Sequence, residues 1–202
     1  MMKRLPVVVA ITGASGVMYG IRLVQALARL KRDIFLMITN PARMVMAEET
    51  EWSLRELNGD NFLEKIFDKT VLKRITYFDY KDVSTLPASG SYRTAGMIVA
   101  PCSGATLSAV AHGGARDLVE RAGEVTIKEG RKLILVLRET PLSAVYIENM
   151  LKLARLGVHI LPAAPAFYQR PKKIDDLYDF IVGRALDLIG IEHTLLKRWD
   201  KT

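Results

Sequence analysis

VVVAITGASGVMYG, residues 7 to 20, decides how the rest of the chain is read. A run of β-branched and small apolar residues ends at Ile11. Glycines follow at Gly13, Gly16 and Gly20, and from Val17 the pattern turns helical, with Ile21, Val24, Leu27 and Ala28 on one face of a segment reaching Leu30. A buried strand, a glycine turn and a helix in that order predict an α/β protein. The same arrangement aims backbone N–H groups at whatever lies before the helix, which suits a phosphate.

Working outward, the strand at Pro6–Thr12 is joined by four more short apolar segments: Asp33–Ile38, Gly96–Ala100, Leu133–Arg138 and Val158–Pro162. Their continuous Val, Ile and Leu content is that of parallel strands covered on both faces. Helical patterns alternate with them. Asn40 reads as an N-cap with Pro41 at the first helical position, leading into Ala42–Leu57. Others run from a cap at Ser103 towards His112, over Leu118–Glu129, over Ser143–Leu156 and over Asp175–Ile189, stopping at Gly190. The expected fold is α/β: a doubly wound, mainly parallel sheet with helices on both faces, Rossmann-like or flavodoxin-like. Residues 1–202 read as one domain with a C-terminal helical tail, residues 58–95 being the least regular part. Ligands of such sheets sit beyond the carboxyl ends of the strands. The stretches after each strand are therefore the ones to inspect.

Composition narrows the function. A chain of 202 residues, half of them apolar and a quarter charged, fits a globular domain with a full core. No apolar stretch is long enough for a membrane span, and the basic-then-apolar start is interrupted by Gly13 and Gly16 where a secretory signal would continue. A single cysteine, Cys102, excludes a disulfide framework within the chain and fits a reducing cytoplasm. The net charge of +7 is spread over short pairs such as Lys31-Arg32, Lys73-Arg74 and Lys172-Lys173. Without a dense basic run or an aromatic RNA-binding motif, no nucleic-acid partner is expected.

A dinucleotide does not fit the glycine turn well. The glycines are not spaced as G-x-G-x-x-G, and the end of the second strand carries Thr39-Asn40 where a ribose-binding acid should stand. YFDYK, Tyr77 to Lys81, has the spacing of a short-chain dehydrogenase pair but lies in the irregular region. Thr39 can donate to a phosphate or cap the next helix. A mononucleotide phosphate, as in FMN, fits better.

PCSGATL (101–107), RETPLS (138–143) and PAFYQRP (165–171), with GASGVMYG and EET (48–50), resemble the UbiX-type flavin prenyltransferases, in order over nearly the whole chain. The resemblance implies an FMN-binding enzyme that moves a dimethylallyl group from dimethylallyl phosphate to N5 and C6 of reduced FMN, with no metal. It implies prenylated FMN as product, passed to a UbiD-type decarboxylase, and a homo-oligomer, a dodecamer in the family, with sites between subunits. Relatives long carried decarboxylase names.

The resemblance also assigns residues. Gly13, Ala14, Ser15 and Thr39 would hold the FMN phosphate, with Ser15 also facing flavin N5. Ser103, Gly104, Ala105 and Thr106 would form a second FMN contact, although Gly104 and Ala105 replace a side chain that is commonly polar in the family. Arg138 matches an FMN-contacting arginine, and Glu139 and Glu49 match two catalytic glutamates. Lys128, Tyr168, Arg184 and Arg121 match the grip on the donor phosphate, and Tyr168 and Trp199 could wall the allyl cation. Breaking an allylic C–O bond loads negative charge on the phosphate, and cationic side chains can meet it. Asp175-Asp176 stands near a helix start, where capping is the expected role. Two rivals share the fold. A cysteine-decarboxylating flavoprotein would show Pro-x-Met-Asn where this chain has Pro101-Cys102-Ser103, and a carrier of FMN would not need both glutamates.

Overall fold

The computed structural model describes residues 4–197. Six strands form one sheet: β1 (Val7–Ile11), β2 (Ile34–Ile38), β3 (Ile75–Tyr77), β4 (Gly96–Cys102), β5 (Leu133–Leu137) and β6 (His159–Pro162). Their order is β3-β2-β1-β4-β5-β6, and every neighbouring pair is parallel. The chain winds from β1 outward to β3, then returns to the other side of β1 and winds outward again to β6. The exits of β1 and β4 therefore flank the point where winding reverses, the place in an open α/β sheet where a crevice forms.

Alternation along the strands divides the core in two. Val7, Val9 and Ile11 of β1 face one cluster, which takes in α1 (Val17–Arg29), α2 (Asn40–Glu49) and α9 (Ile174–Ile189). Val8 and Ala10 face the other, with α6 (Gly104–His112), α7 (Leu118–Lys128) and α8 (Ala144–Arg155). All five residues of β1 are buried, as a central strand covered on both faces requires. The short helices α3 (Leu54–Leu57), α4 (Phe62–Ile66) and α5 (Lys69–Leu72) occupy the approach to β3.

The structure corrects the sequence reading at several elements. The helix expected over 42–57 is two helices. Thr50 turns extended, its hydroxyl donates to Met46 O at 2.7 Å, and Ser53 opens α3 with a capping box to Glu56. Hydroxyl groups that bond the local backbone break a helix even where apolar spacing continues. The cap of α2 is Thr39, one residue earlier than expected, with its side chain accepting from Ala42 N at 3.2 Å. β3 is absent from the sequence reading because it is three residues long and only partly buried, so it carries no apolar run. The end of β4 extends to Cys102 across a register shift after Val99. Trp199, expected near the site, lies outside the described residues.

Candidate functional site

Three loops are tied together at the switch point. Thr12 donates its hydroxyl to Pro101 O and accepts from Ser103 N, both at 2.8 Å. Thr39 N donates to Ile11 O at 3.1 Å. Buried Thr12 thus locks the glycine turn after β1 to the start of α6. Gly13 is required by contact: a Cβ there would stand 2.4 Å from Cβ of Pro41.

The two helix starts on either side of this crevice are used differently. Ser103 caps α6, accepting from Thr106 N at 3.3 Å. The N–H groups of Gly104 and Ala105, its first two residues, have no intrahelical acceptor. At α1 the N-cap is Gly16, in the left-handed region at φ 94°, with no side chain to cap with. Glu49 supplies the acceptor instead. Its two oxygens accept from Gly16 N, each at 2.9 Å, and Oε2 also accepts from Val17 N at 3.1 Å. The first two N–H groups at this helix start, of Gly16 and Val17, thus hold a carboxylate of the chain itself. Within the turn, Ala14 N points back to Thr12 O at 2.8 Å.

Arg138, just past β5, crosses towards this turn and donates from Nε to Ser15 O at 3.4 Å. Glu139 beside it is exposed, with Oε1 accepting from Thr140 N at 3.1 Å. A cation and a carboxylate, Arg138 and Glu49, therefore border the Ser15 loop, with Glu139 next to Arg138 in the chain. Buried Cys102 has its thiol pKa pushed far up by desolvation. It packs the core and lacks the thiolate character of a nucleophile. Asp176 caps α9, accepting from Lys172 N at 2.8 Å, whereas Asp175 and Asp179 pair with Arg22 of α1. Among the described residues no three His, Cys, Asp or Glu side chains gather as metal ligands would.

Sequence reasoning missed three tyrosines. Tyr19 and Tyr178 meet edge to face with ring centroids 5.1 Å apart. Burial raises both pKa values, and the charge of Glu49 raises that of Tyr178 further. Tyr146, in the first turn of α8, lies against Gly104. Its pKa is raised by burial first, then by Cys102 and Glu139. Tyr19 stands inside the GASGVMYG stretch without a role having been read for it, and Tyr146 and Tyr178 belong to no motif and stand at no strand end, so spacing alone carries no signal of them.

Lys128 and Arg184, two of the residues matched to the donor phosphate, do not lie at this crevice within one chain. Lys128 ends α7, with Nζ 3.3 Å from Glu129 Oε1, and after Gly130 the chain enters β5 from its amino end. Lys128 thus lies at the edge of the sheet opposite the crevice, about 15 Å away by strand length alone. Arg184 pairs with Asp187 at 3.2 Å, in the half of α9 that descends to Ile189 beside Gly96, the first residue of β4. Arg121 pairs with Glu124 at 3.5 Å on α7. Tyr168 follows β6 on a loop, exposed, with its ring 6.1 Å from that of Phe180.

Comparison with known proteins agrees with this geometry. The sequence profile of the family described as Flavoprotein matches residues 1–186. The flavin prenyltransferase UbiX of Alkalihalophilus pseudofirmus is 47% identical over 193 residues, covering 96% of this chain and 95% of that protein. A solved structure of AnUbiX (PadA1) with FMN and dimethylallyl pyrophosphate superposes with a TM-score of 0.87 at 38% identity, covering 99% of this chain and 100% of that one. A dodecameric FMN-dependent UbiX-like decarboxylase from Escherichia coli O157:H7 superposes with a TM-score of 0.85 at 39% identity, covering 98% and 100% of the two chains. The doubly wound fold, the switch-point crevice and full-length similarity together show that the chain belongs to the UbiX family of flavin prenyltransferases.

Proposed function

We propose that the protein transfers the dimethylallyl group of dimethylallyl phosphate to N5 and C6 of reduced FMN and releases prenylated FMN for a UbiD-type decarboxylase. The observation that carries the reading is the convergence of the loops after β1 and β4 at the switch point. It combines helix-start N–H groups at Gly104 and Ala105, the capping hydroxyls of Thr39 and Ser103, the Arg138 guanidinium and the carboxylates of Glu49 and Glu139. N–H donors, hydroxyls and one cation suit a phosphomonoester.

Reduced FMN, when bound, supplies the nucleophilic positions. The chain's own residues do the rest. Ser103–Thr106, with Gly13–Ser15 and Thr39, hold the phosphate end. Arg138 orients the ligand from the Ser15 side. Glu139 stands beside Arg138 to exchange a proton with the departing donor phosphate. Glu49, on the other side of Ser15, takes the proton released at ring closure. Lys128, Arg184 and Arg121 neutralise the leaving phosphate and Tyr168 donates a hydrogen bond to it, with Lys128 and Arg184 coming from a neighbouring subunit in a homo-oligomer whose sites lie between chains. A row of exposed apolar residues on and before α8, Leu142, Val145, Ile147 and Leu151, offers a surface for such assembly. No described helix is long and apolar enough to cross a membrane, and the reading assigns a single cytoplasmic domain.

The test is anaerobic incubation of the FMN-loaded protein with dithionite and dimethylallyl phosphate, followed by mass and absorbance of the extracted flavin. A flavin heavier by one C5H8 unit is expected. A folded, FMN-loaded protein that leaves the flavin mass unchanged would sink the proposal. Glu139→Gln should keep FMN and lose turnover, which separates an enzyme from a carrier.

A further inference from the structure

Tyr146 lies across the start of α6. A Cβ on Gly104 would stand 2.8 Å from Tyr146 Cε2 and 2.9 Å from its Oη, so the ring occupies the space that a side chain at 104 would fill. The hydroxyl is thereby fixed beside the first residue of α6, whose N–H has no intrahelical acceptor. Its own backbone is held by Ser143 Oγ at 3.2 Å, the N-cap of α8, so the ring has a rigid base. The hydroxyl itself bonds no group among the described residues. Burial raises its pKa, so it remains a protonated donor in the neutral range. Gly104 and Ala105 bring no polar side chain of their own to this helix start.

We propose that Tyr146 is a positioning residue of the flavin site, closing over Gly104 and donating its hydroxyl hydrogen bond to the phosphate of FMN at the start of α6. This rests on the FMN reading above. The hydroxyl and the N–H groups of Gly104 and Ala105 would act on the same anion from two sides. The close fit of ring against Gly104 also makes residue 104 a point at which a side chain disturbs the site indirectly.

The test compares FMN with riboflavin, which lacks the phosphate, by fluorescence titration of the full-length protein. Tyr146→Phe keeps the ring and the fold. It should weaken FMN about tenfold, the loss of one hydrogen bond to a charged group, and leave riboflavin unchanged. Unchanged FMN affinity, or equal losses for both flavins, would overturn the assignment. Gly104→Ala should weaken FMN with Tyr146 intact, because its methyl group displaces the ring. In a Tyr146→Ala background the same substitution should add no further loss, and additive losses would also overturn it. If the unaltered protein fails to bind FMN, the flavin reading falls and this assignment with it. If it binds FMN and Tyr146→Phe is indistinguishable, the assignment falls alone.

Discussion

Glu49 reaches from the last turn of α2 to the N-terminus of α1, where its carboxylate accepts from Gly16 N, at 2.9 Å to each oxygen, and from Val17 N at 3.1 Å. Gly16 adopts the left-handed turn that leads into the helix, but having no side chain it cannot cap it. A negative group at that end is favoured by the helix dipole as well as by the hydrogen bonds. Under the proposed function, one residue would therefore serve both local folding and the reaction. Removing the carboxylate in Glu49→Ala should cost about 1 kcal/mol, as losing an N-cap does, and abolish turnover. Glu49→Gln keeps an acceptor oxygen, so its stability should lie close to that of the unaltered protein while turnover still falls. Urea denaturation alongside prenylation assays checks both, and equal stability of the two variants would contradict the capping role.

Gly13 offers a second test, because the conflict there involves a rigid partner. The methyl group of Gly13→Ala would meet Cβ of Pro41 at 2.4 Å. Neither the proline ring nor the turn can yield without moving the start of α2, and with it Thr39, whose backbone is bonded to Ile11. Overpacking of this kind costs about 1–3 kcal/mol. Lower urea midpoint and weaker FMN binding should appear together.

A third expectation concerns Asp117, the N-cap of α7, which accepts from Glu120 N at 2.9 Å. Burial raises its pKa, and Glu120 adds to the rise, against the bonds from the helix N–H groups. A carboxylate raised in the folded state is a destabilising charge at neutral pH. The penalty is absent below the unfolded value of about 3.9, grows as pH rises towards the higher folded value, and is complete above it. Asn caps a helix as well as Asp does. Asp117→Asn should therefore be the more stable protein at pH 7, with the difference closing as pH falls below about 4. A gain that persists at low pH would contradict the sign.

The parts of this site that sequence revealed are the ones tied to strand ends. Gly13–Ser15, Thr39, Ser103–Thr106, Arg138 and Glu139 each follow an apolar run, and the parallel sheet brings such segments to one edge whatever their separation in the chain. The role of Glu49 as a cap was hidden, since Glu48 and Glu51 look the same by spacing and only the reach from α2 to Gly16 distinguishes it. Tyr146 and Tyr178 were hidden for a related reason: they arrive on helix faces whose rotation is set by packing. The break at Thr50 and the short β3 were missed because hydroxyl capping and edge pairing override apolar spacing.

Lys128 gives the sharpest prediction, since it stands at the opposite edge of the sheet from Glu139 in the same chain. If both act on one donor phosphate, they must come from different subunits. Lys128→Ala and Glu139→Gln should each be inactive as pure oligomers. Denatured together and reassembled, some sites would receive an intact Lys128 from one chain and an intact Glu139 from another, so activity should return. The control is Arg138→Ala mixed with Glu139→Gln. Those residues are adjacent in sequence, so a site rebuilt from either chain lacks one of them and activity should stay absent. Recovery in the first mixture and none in the second would assign the donor grip to a neighbouring subunit. No recovery in either, from oligomers that reassemble to the original size, would contradict the assignment to a neighbouring subunit, and a fully active Lys128→Ala oligomer would place Lys128 outside the reaction.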